Sequence, residues 1–336
     1  MNATVPLIEL SRGQTPENQH LGAVAVVSAQ GRLLASAGDA WRMTFTRSTI
    51  KPLQALPFMQ AGGAKHFGFG SEQVAMLCAS HSGENMHVAQ VQGMLDKAGL
   101  NYKALRCGCH VPYFTELGLP GVAGAFDERH HNCSGKHSGF LAYCVQHGLP
   151  LADYLDPAHP LQQAVRRSVA RAAGLEEGAM RDGIDGCSAP NFAMPLANLA
   201  RAYARLASGT QDAEFGESFG QMAGAMAAHP QLVSGTRRSD EAFMRAGRGD
   251  WVTKVGADGV QAFASRSRRE AFAVKILDGN MPALFAATVE VLEQLGWMDD
   301  GQRAALAPWR AQDIMSVRGV KVGERKAVFS LAGAQG

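Results

Sequence analysis

The chain has 336 residues, 46% of them hydrophobic and 18% charged, and its 32 lysines and arginines against 30 acidic residues leave a net charge of +2. This composition is typical of a globular protein with a large core, and the scattered charge argues against nucleic acid or a membrane surface as a partner. No apolar run could span a bilayer and no export signal is present, so we predict a cytoplasmic protein whose six cysteines are thiols.

The predicted elements begin with a β-hairpin. Residues 22–38 hold two short β-rich runs around a turn at Gly31. The stretch 71–80 is either a helix or a buried strand that delivers Ser80 into a polar loop. Apolar periodicity predicts helices over residues 53–59, 86–98, 140–147, 160–173, 194–207, 217–228 and 282–295. Strands are predicted over residues 251–256, 259–264 and 271–276, with a last short strand at 320–322 or 327–329.

Strands at both ends of the chain with helices between them predict an α/β (α+β) protein. We expect one domain over residues 1–336, with an antiparallel sheet built from about residues 1–45 and 245–336. A helical and loop region of about residues 46–244 is inserted between the two halves of the sheet. Within it, residues 106–139 are rich in Gly, Cys, His and Pro, and such irregular segments are usually functional.

Ser48 and Lys51 form the first candidate for chemistry. Three residues of separation place both side chains on one face of a helix, and Pro52 puts Ser48 at or just before its first turn. Free backbone N–H groups there favour negative charge on the serine oxygen. Lys51 can serve as the base only if it is desolvated or crowded by another cation. The same spacing also fits a capping serine followed by a solvated lysine.

Ser80 and Lys254 form a second candidate pair. Lys254 lies in a strand-like Thr-Lys-Val-Gly segment, where Gly256 would allow a ligand or another part of the chain to approach closely. A second lysine close to Lys51 would favour the neutral form of both amines. An exposed strand lysine is the alternative interpretation of Lys254, and Lys275 on the next strand but one is a rival for its role.

A candidate metal site combines Cys133 and Cys187 with nearby histidines, and Lys136 follows Cys133 by three residues. Two thiols brought together in a reducing compartment favour zinc over a disulfide, and His131 or His137 would be the usual third ligand. Packed, inert thiols remain an alternative interpretation. A competing cluster, Cys107-Gly108-Cys109-His110, lacks a second matching pair and is predicted to be a loop.

Several motifs together carry a family resemblance. Ser48-x-x-Lys51, a later Ser80 and a late Lys254-Val255-Gly256 loosely resemble the motifs of the serine β-lactamase and penicillin-binding-protein superfamily. The joint pattern is more closely similar to the class 3, rhizobial-type L-asparaginases, and it comprises residues 46–52, 78–84, 131–137, 185–187 and 254–260. This resemblance implies a β-lactamase-like fold, a homodimer, and hydrolysis of the small molecule L-asparagine to L-aspartate and ammonia.

Site residues follow from the resemblance position by position. It implies two Ser-Lys tandems around one pocket, Ser48 with Lys51 and Ser80 with Lys254. It also implies a zinc ion held by two cysteines and a lysine, and these ligands would be Cys133, Lys136 and Cys187. That set displaces histidine as the default third ligand. A lysine ligates only as a neutral amine, which the bound cation itself enforces.

The mechanism we predict starts with attack of Ser48 on the side-chain carboxamide, with neutral Lys51 as base. Ammonia leaves, and water hydrolyses the acyl-enzyme. Ser80 and Lys254 either relay the proton or exchange roles with the first pair. Zinc between two thiolates is nearly neutral and is predicted to organise loops and substrate rather than to activate water.

Three further residues are candidate anchors for the α-carboxylate and α-ammonium groups of the substrate: Arg47, His137 and Asp185. A surface ion pair is the alternative for Arg47. Two other functions remain open from sequence: a penicillin-recognising serine hydrolase or peptidase, and a non-catalytic, zinc-stabilised amino-acid-binding protein.

Overall fold

The strands of this computed structural model, which describes residues 4–119, 125–310 and 312–333, lie in two antiparallel sheets. The strands are β1 Val5–Arg12, β2 Thr15–Ser28, β3 Leu33–Ala37, β4 Met43–Phe45, β5 Arg181–Ile184, β6 Pro190–Pro195, β7 Trp251–Gly256, β8 Val260–Ser265, β9 Glu270–Ile276, β10 Gln312–Met315, β11 Lys321–Ala327 and β12 Ala332–Gly333.

Most helices lie between the two groups of strands. They are α1 Lys51–Gln54, α2 Leu56–Gln60, α3 Gly63–His66, α4 Ser71–Leu77, α5 Asn85–Lys97, α6 Tyr113–Glu116, α7 Ser134–Gln146, α8 Pro160–Ala173, α9 Leu196–Ser208, α10 Gly216–Ala228, α11 Pro230–Val233, α12 Ser239–Ala246, α13 Met281–Gln294 and α14 Asp300–Ala305. A 3-10 turn over Arg47–Ile50 leads into α1. None of the helices among the described residues combines the length and apolar character needed to cross a membrane.

The large sheet has the strand order β10-β11-β1-β2-β9-β8-β7, and β3 pairs with both β2 and β12. It therefore joins strands from both ends of the described chain, which confirms the predicted α/β class with an inserted helical region. The predicted hairpin is also confirmed, since Val24 pairs with Ala37 across β2 and β3. The single domain over residues 1–336 stays a prediction.

Alternation along the central strands gives the sheet two different faces. Small residues such as Ala23 and Ala273 face the core that contains α9, and the alanine-rich helix packs closely against them. Larger residues such as Val24, Phe272 and Val274 face the other core, which α13 covers. This period of two is the signal from which β8 and β9 could be predicted.

Two predictions for the inserted region were wrong in part. The stretch 106–139 is not irregular throughout, because α6 lies within it and α7 already begins at Ser134; its residues 120–124 lie outside the described residues. The second correction is a small sheet of order β4-β6-β5, which lies across a region predicted to hold only helices and loops. Its β4 strand, within residues 1–45, pairs with β6 instead of joining the large sheet.

Candidate active site

Ser48 lies in the turn that precedes α1, as its spacing from Pro52 predicted. It is half-buried and lines a cleft of about 540 Å³ together with Arg47, Cys133, Asp185 and other residues. Strand β7 approaches this turn closely at Gly256. A side chain at this position would not fit, because its Cβ would lie only 3.0 Å from the carbonyl oxygen of Thr46. The close approach expected at this glycine is therefore made by the chain segment just before Ser48.

Arg47, the residue before Ser48, has a left-handed backbone with φ of 48°. Such a conformation costs a non-glycine residue about 1–3 kcal/mol and persists only when its surroundings enforce it. The Asn191 side chain supplies the enforcement from β6, since its Oδ1 accepts the Arg47 N–H at 3.2 Å and its Nδ2 donates to the Arg47 carbonyl at 3.1 Å. This clamp fixes the direction in which the chain enters the Ser48 turn.

Lys51 is almost completely buried, with 1% of its surface exposed. Its Nζ lies 2.7 Å from the Ala79 carbonyl oxygen, 3.3 Å from that of Asn132 and 2.7 Å from Ser80 Oγ. In the bond with Ser80 the Lys51 amine is the donor, and the three acceptors match the three donors of a lysine amine that carries a proton. Once that proton is lost, the 2.7 Å contact is short enough for the Ser80 hydroxyl to donate to Lys51.

The two predicted Ser-Lys pairings are not the pairings in the structure. Lys51 bonds to Ser80, which lies just beyond α4 and is 4% exposed. Lys254 bonds instead to Asp240 Oδ2 at 2.8 Å and to the Val255 carbonyl at 3.0 Å. Only the hydrogen-bond partners differ from the prediction. The two lysines do lie near each other, because Lys51 is close enough to contribute to lowering the pKa of Lys254.

Lys254 and Asp240 form an ion pair in which neither side chain is exposed. Burial lowers the pKa of Lys254 to about 8, and the nearby Lys51 acts in the same direction, whereas Asp240 opposes both. Lys275, the rival for the role of Lys254, lines an adjoining cavity of about 660 Å³ that shares Arg47 with the cleft. Its amine donates to the Asp258 carbonyl and not to Ser80. The geometry favours Lys254 as the lysine of this site.

Arg47 and Asp185 meet at the wall of the cleft. The Arg47 Nε donates to Asp185 Oδ1 at 3.0 Å, and a second branch of the guanidinium bonds to Asp258. Asn191 Nδ2 holds the other Asp185 oxygen at 3.1 Å. Arg47 thus lies between two carboxylates, of which Asp185 is the one held by Asn191. This cation and the fixed Asp185 carboxylate have the signs needed to bind the two charges of an α-amino acid.

His137 occupies a different place from the one predicted for a substrate anchor. It has no exposed surface, and its Nδ1 lies 2.7 Å from the Tyr154 hydroxyl. Burial lowers the pKa of His137, so the ring is neutral, and it lies behind Cys187 rather than at the cleft. Its Nε2 is buried and has no hydrogen-bond partner among the described residues, and the ring does not line the cleft.

Cys133, Lys136 and Cys187 converge beside the cleft, and both thiols line it. The Lys136 Nζ lies 3.1 Å from Cys187 Sγ. A hydrogen bond from Cys133 holds the pKa of the Cys187 thiol well below its usual range, and Lys136 and His137 act in the same direction, whereas burial opposes them. Burial lowers the pKa of Lys136, but the two thiols outweigh this effect and raise it to about 12. A cation could take the place of the Lys136 proton between these groups.

This donor set fits zinc, with one condition. Among the described residues, no three His, Cys, Asp or Glu side chains converge in a way that could hold a metal ion, so a zinc site here would need the Lys136 amine as its third ligand. The alternative histidine His131 uses its Nδ1 to accept the Cys133 N–H at 3.0 Å. Burial raises the pKa of the Cys107 thiol to about 12, so the competing cluster offers a protonated thiol rather than a thiolate.

Two residues of the site had no role in the sequence analysis, Asn191 and Asp240. Asn191 lies four residues after Cys187, and Asp240 lies in the first turn of α12, where a carboxylate is favoured by the helix dipole. That position was the available signal for Asp240. Neither partner could be read from sequence, because Asn191 bonds to a residue 144 positions away and Asp240 to one 14 positions away.

One of the comparisons with known proteins agrees with the motifs. The family model described as L-asparaginase II matches residues 8–327. No curated protein matches the chain. Among solved structures, a β-lactamase from Mycobacterium bovis is similar over 81% of this chain and 94% of that chain, with 17% sequence identity and a TM-score of 0.43.

Proposed function

This chain belongs to the L-asparaginase II family, and from that premise we propose that it hydrolyses L-asparagine with Ser48 as nucleophile and Lys51 as base. The observation that carries the proposal is the buried Lys51 amine, 2.7 Å from the Ser80 hydroxyl and next to a cleft lined by Ser48. Ser48 is the nucleophile because it lines the cleft, whereas Ser80 is nearly buried and is the proton relay.

The reaction proceeds in two halves. Ser48 Oγ forms a bond to the carboxamide carbon while its proton passes through the Ser80 hydroxyl to Lys51. The carbon–nitrogen bond then breaks, and Lys51 returns the proton to the departing nitrogen, so that ammonia leaves and the aspartyl group remains as an ester on Ser48. Water attacks this ester while Lys51 accepts its proton. The bond between the acyl carbon and the Ser48 oxygen then breaks, Lys51 returns the proton through Ser80 to that oxygen, and aspartate leaves.

Arg47 and Asp185 orient the substrate. Their bond to each other opens, and Arg47 then binds the α-carboxylate while Asp185 binds the α-ammonium group. The Asn191 bonds to both residues support this assignment, since they restrain the Arg47 backbone and one Asp185 oxygen. Zinc would be held by Cys133, Lys136 and Cys187, and when bound it would supply a weak Lewis acid that organises the cleft wall. A homodimer and a cytoplasmic location stay predictions from the sequence.

The direct test is a comparison of substrates with the purified protein. Ammonia is measured after incubation with L-asparagine and with L-glutamine, and bound zinc is quantified in the same preparation. We expect ammonia from asparagine and zinc in stoichiometric amount. Nitrocefin serves as the control for a penicillin-recognising hydrolase and should stay intact. Asparagine binding without any ammonia would instead support a non-catalytic binding protein and would refute the proposal.

Replacing Asn191 by alanine should lower kcat/KM for asparagine by about 10- to 100-fold, because the left-handed Arg47 loses its clamp and the Ser48 turn changes direction. The folded state should lose about 1–3 kcal/mol. Asn198→Ala is the matched control: Asn198 also donates a buried hydrogen bond to a backbone carbonyl, that of Ala173 at 2.9 Å, but far from the cleft. A similar loss of kcat/KM in both variants would mean that the Asn191 effect is only one of stability.

A further inference from the structure

The ion pair of Lys254 and Asp240 is held from two elements. Asp240 begins α12, and Lys254 lies in the middle of β7. Asp240 Oδ2 accepts from Lys254 Nζ at 2.8 Å, while both carboxylate oxygens accept from the Val255 N–H, at 2.8 and 3.1 Å. Both side chains have 0% exposure. The carboxylate is thus fixed by three contacts and leaves Lys254 little freedom to turn away.

Lys254 has no contact that would suit a base for serine. The acceptors of its Nζ are Asp240 and the Val255 carbonyl, and among the described residues the hydroxyl of Ser80 is bonded to Lys51 instead. A buried ion pair is also a poor source of stability, since apolar residues of similar volume are often as good. A charge placed at this depth therefore calls for a functional explanation.

We propose that Asp240 is a positioning residue that keeps Lys254 positively charged, and that Lys254 acts as a fixed cation next to Lys51 rather than as a second base. The inference rests on the asparaginase function proposed above. A fixed positive charge in a dry site stabilises the negative charge that develops on a serine oxygen as its proton leaves. Since two neighbouring ammonium groups repel each other, a proton held on Lys254 also leaves Lys51 as the amine that accepts one.

The pH dependence separates this role from that of a base. Charged and titratable groups around the pair are Lys51 from α1, Arg238 before α12, Cys78 after α4, and Tyr203 from α9, which faces Asp240. Burial lowers the pKa of Lys254 to about 8, so Lys254 is charged below that pH and neutral above it. A required cation makes kcat fall as pH rises through this value. A required base makes kcat rise instead.

The test measures kcat and KM for asparagine between about pH 6 and about pH 10 in the wild type, Asp240→Asn and Lys254→Arg. We expect the wild-type kcat to fall above about pH 8. In Asp240→Asn the opposing carboxylate is gone, so the pKa of Lys254 drops further. The fall should move to lower pH by about two units, which corresponds to about a tenfold loss of kcat near neutral pH, with little change in KM. Lys254→Arg, a permanent cation, should keep measurable kcat and lose the alkaline fall.

Asp212→Asn is the matched control, because Asp212 forms a similarly protected ion pair with Arg205 at 2.7 Å, away from the cleft. It should keep the wild-type pH profile even if it lowers Tm. A wild-type kcat that does not fall above about pH 8, or an unshifted profile in Asp240→Asn, would overturn the inference while leaving the asparaginase function intact. A wild type that releases no ammonia would refute the function itself. If Asp240→Asn does not fold, the Lys254→Arg profile decides, since loss of all its activity would indicate a base.

Discussion

Ser48→Ala should reduce kcat for asparagine by about 10⁴-fold or more, because the variant has no oxygen in the cleft that can form the acyl-enzyme. The substitution removes only one oxygen atom from a half-buried side chain, so Tm should change little. Ser80→Ala should cost less, about 10²-fold, since it removes a proton relay but leaves the nucleophile and Lys51 in place. The measurement is steady-state ammonia release with circular dichroism as a check of folding.

The unequal losses identify the nucleophile. Ser208→Ala is the control, because Ser208 donates a similar hydroxyl bond to the Ala204 carbonyl at the end of α9, away from the cleft. Mass spectrometry of acid-quenched enzyme should show an aspartyl adduct on a peptide that contains Ser48. An adduct on Ser80, with the larger loss in Ser80→Ala, would exchange the two roles. Full activity in both variants would refute the Ser-Lys mechanism altogether.

The exchange of partners between the two Ser-Lys pairs shows where sequence reasoning stops. Spacing indicated correctly that Ser48 and Lys51 belong to one turn of chain, because helical geometry is local. The direction of a long lysine side chain is not local. Its amine donates to acceptors within reach, and these include the carbonyl of Ala79 and the hydroxyl of Ser80, which lie just beyond α4. Sequence separation carries no information about such acceptors.

The sequence likewise predicted part of the fold, the strands of the large sheet, but not the small sheet. Strands β7, β8 and β9 alternate small and large residues between turns, so each could be located from its own sequence. The small sheet was missed because β6 begins and ends with proline and β5 has only four residues, mostly polar. Proline usually argues against an internal strand. β6 forms because β4, which is distant in sequence, pairs with it, and β5 then pairs with β6 as a short hairpin.

Loss of the metal site should affect substrate binding more than turnover. In Cys187→Ser, or after removal of metal from the wild type by a chelator, we expect bound zinc to disappear and KM for asparagine to rise by about 10- to 100-fold. Two thiolates nearly cancel the charge of a zinc ion, so it contributes little to activation of water. The kcat should fall only a few-fold. Loss of the metal would disturb Cys133 and therefore the preceding residue, Asn132, whose carbonyl makes the longest of the Lys51 contacts, at 3.3 Å.

Cys144→Ser is the control for this prediction, since Cys144 is a buried thiol on the same helix as Lys136, and burial raises its pKa to about 12. It should bind zinc and asparagine like the wild type. Lys136→Met tests the third ligand separately. Because Lys136 has to lose a proton to bind the metal, zinc affinity in the wild type should fall steeply with decreasing pH. The variant should bind zinc weakly at every pH. Loss of turnover at saturating asparagine in a folded, zinc-free enzyme would show instead that the metal takes part in the chemistry.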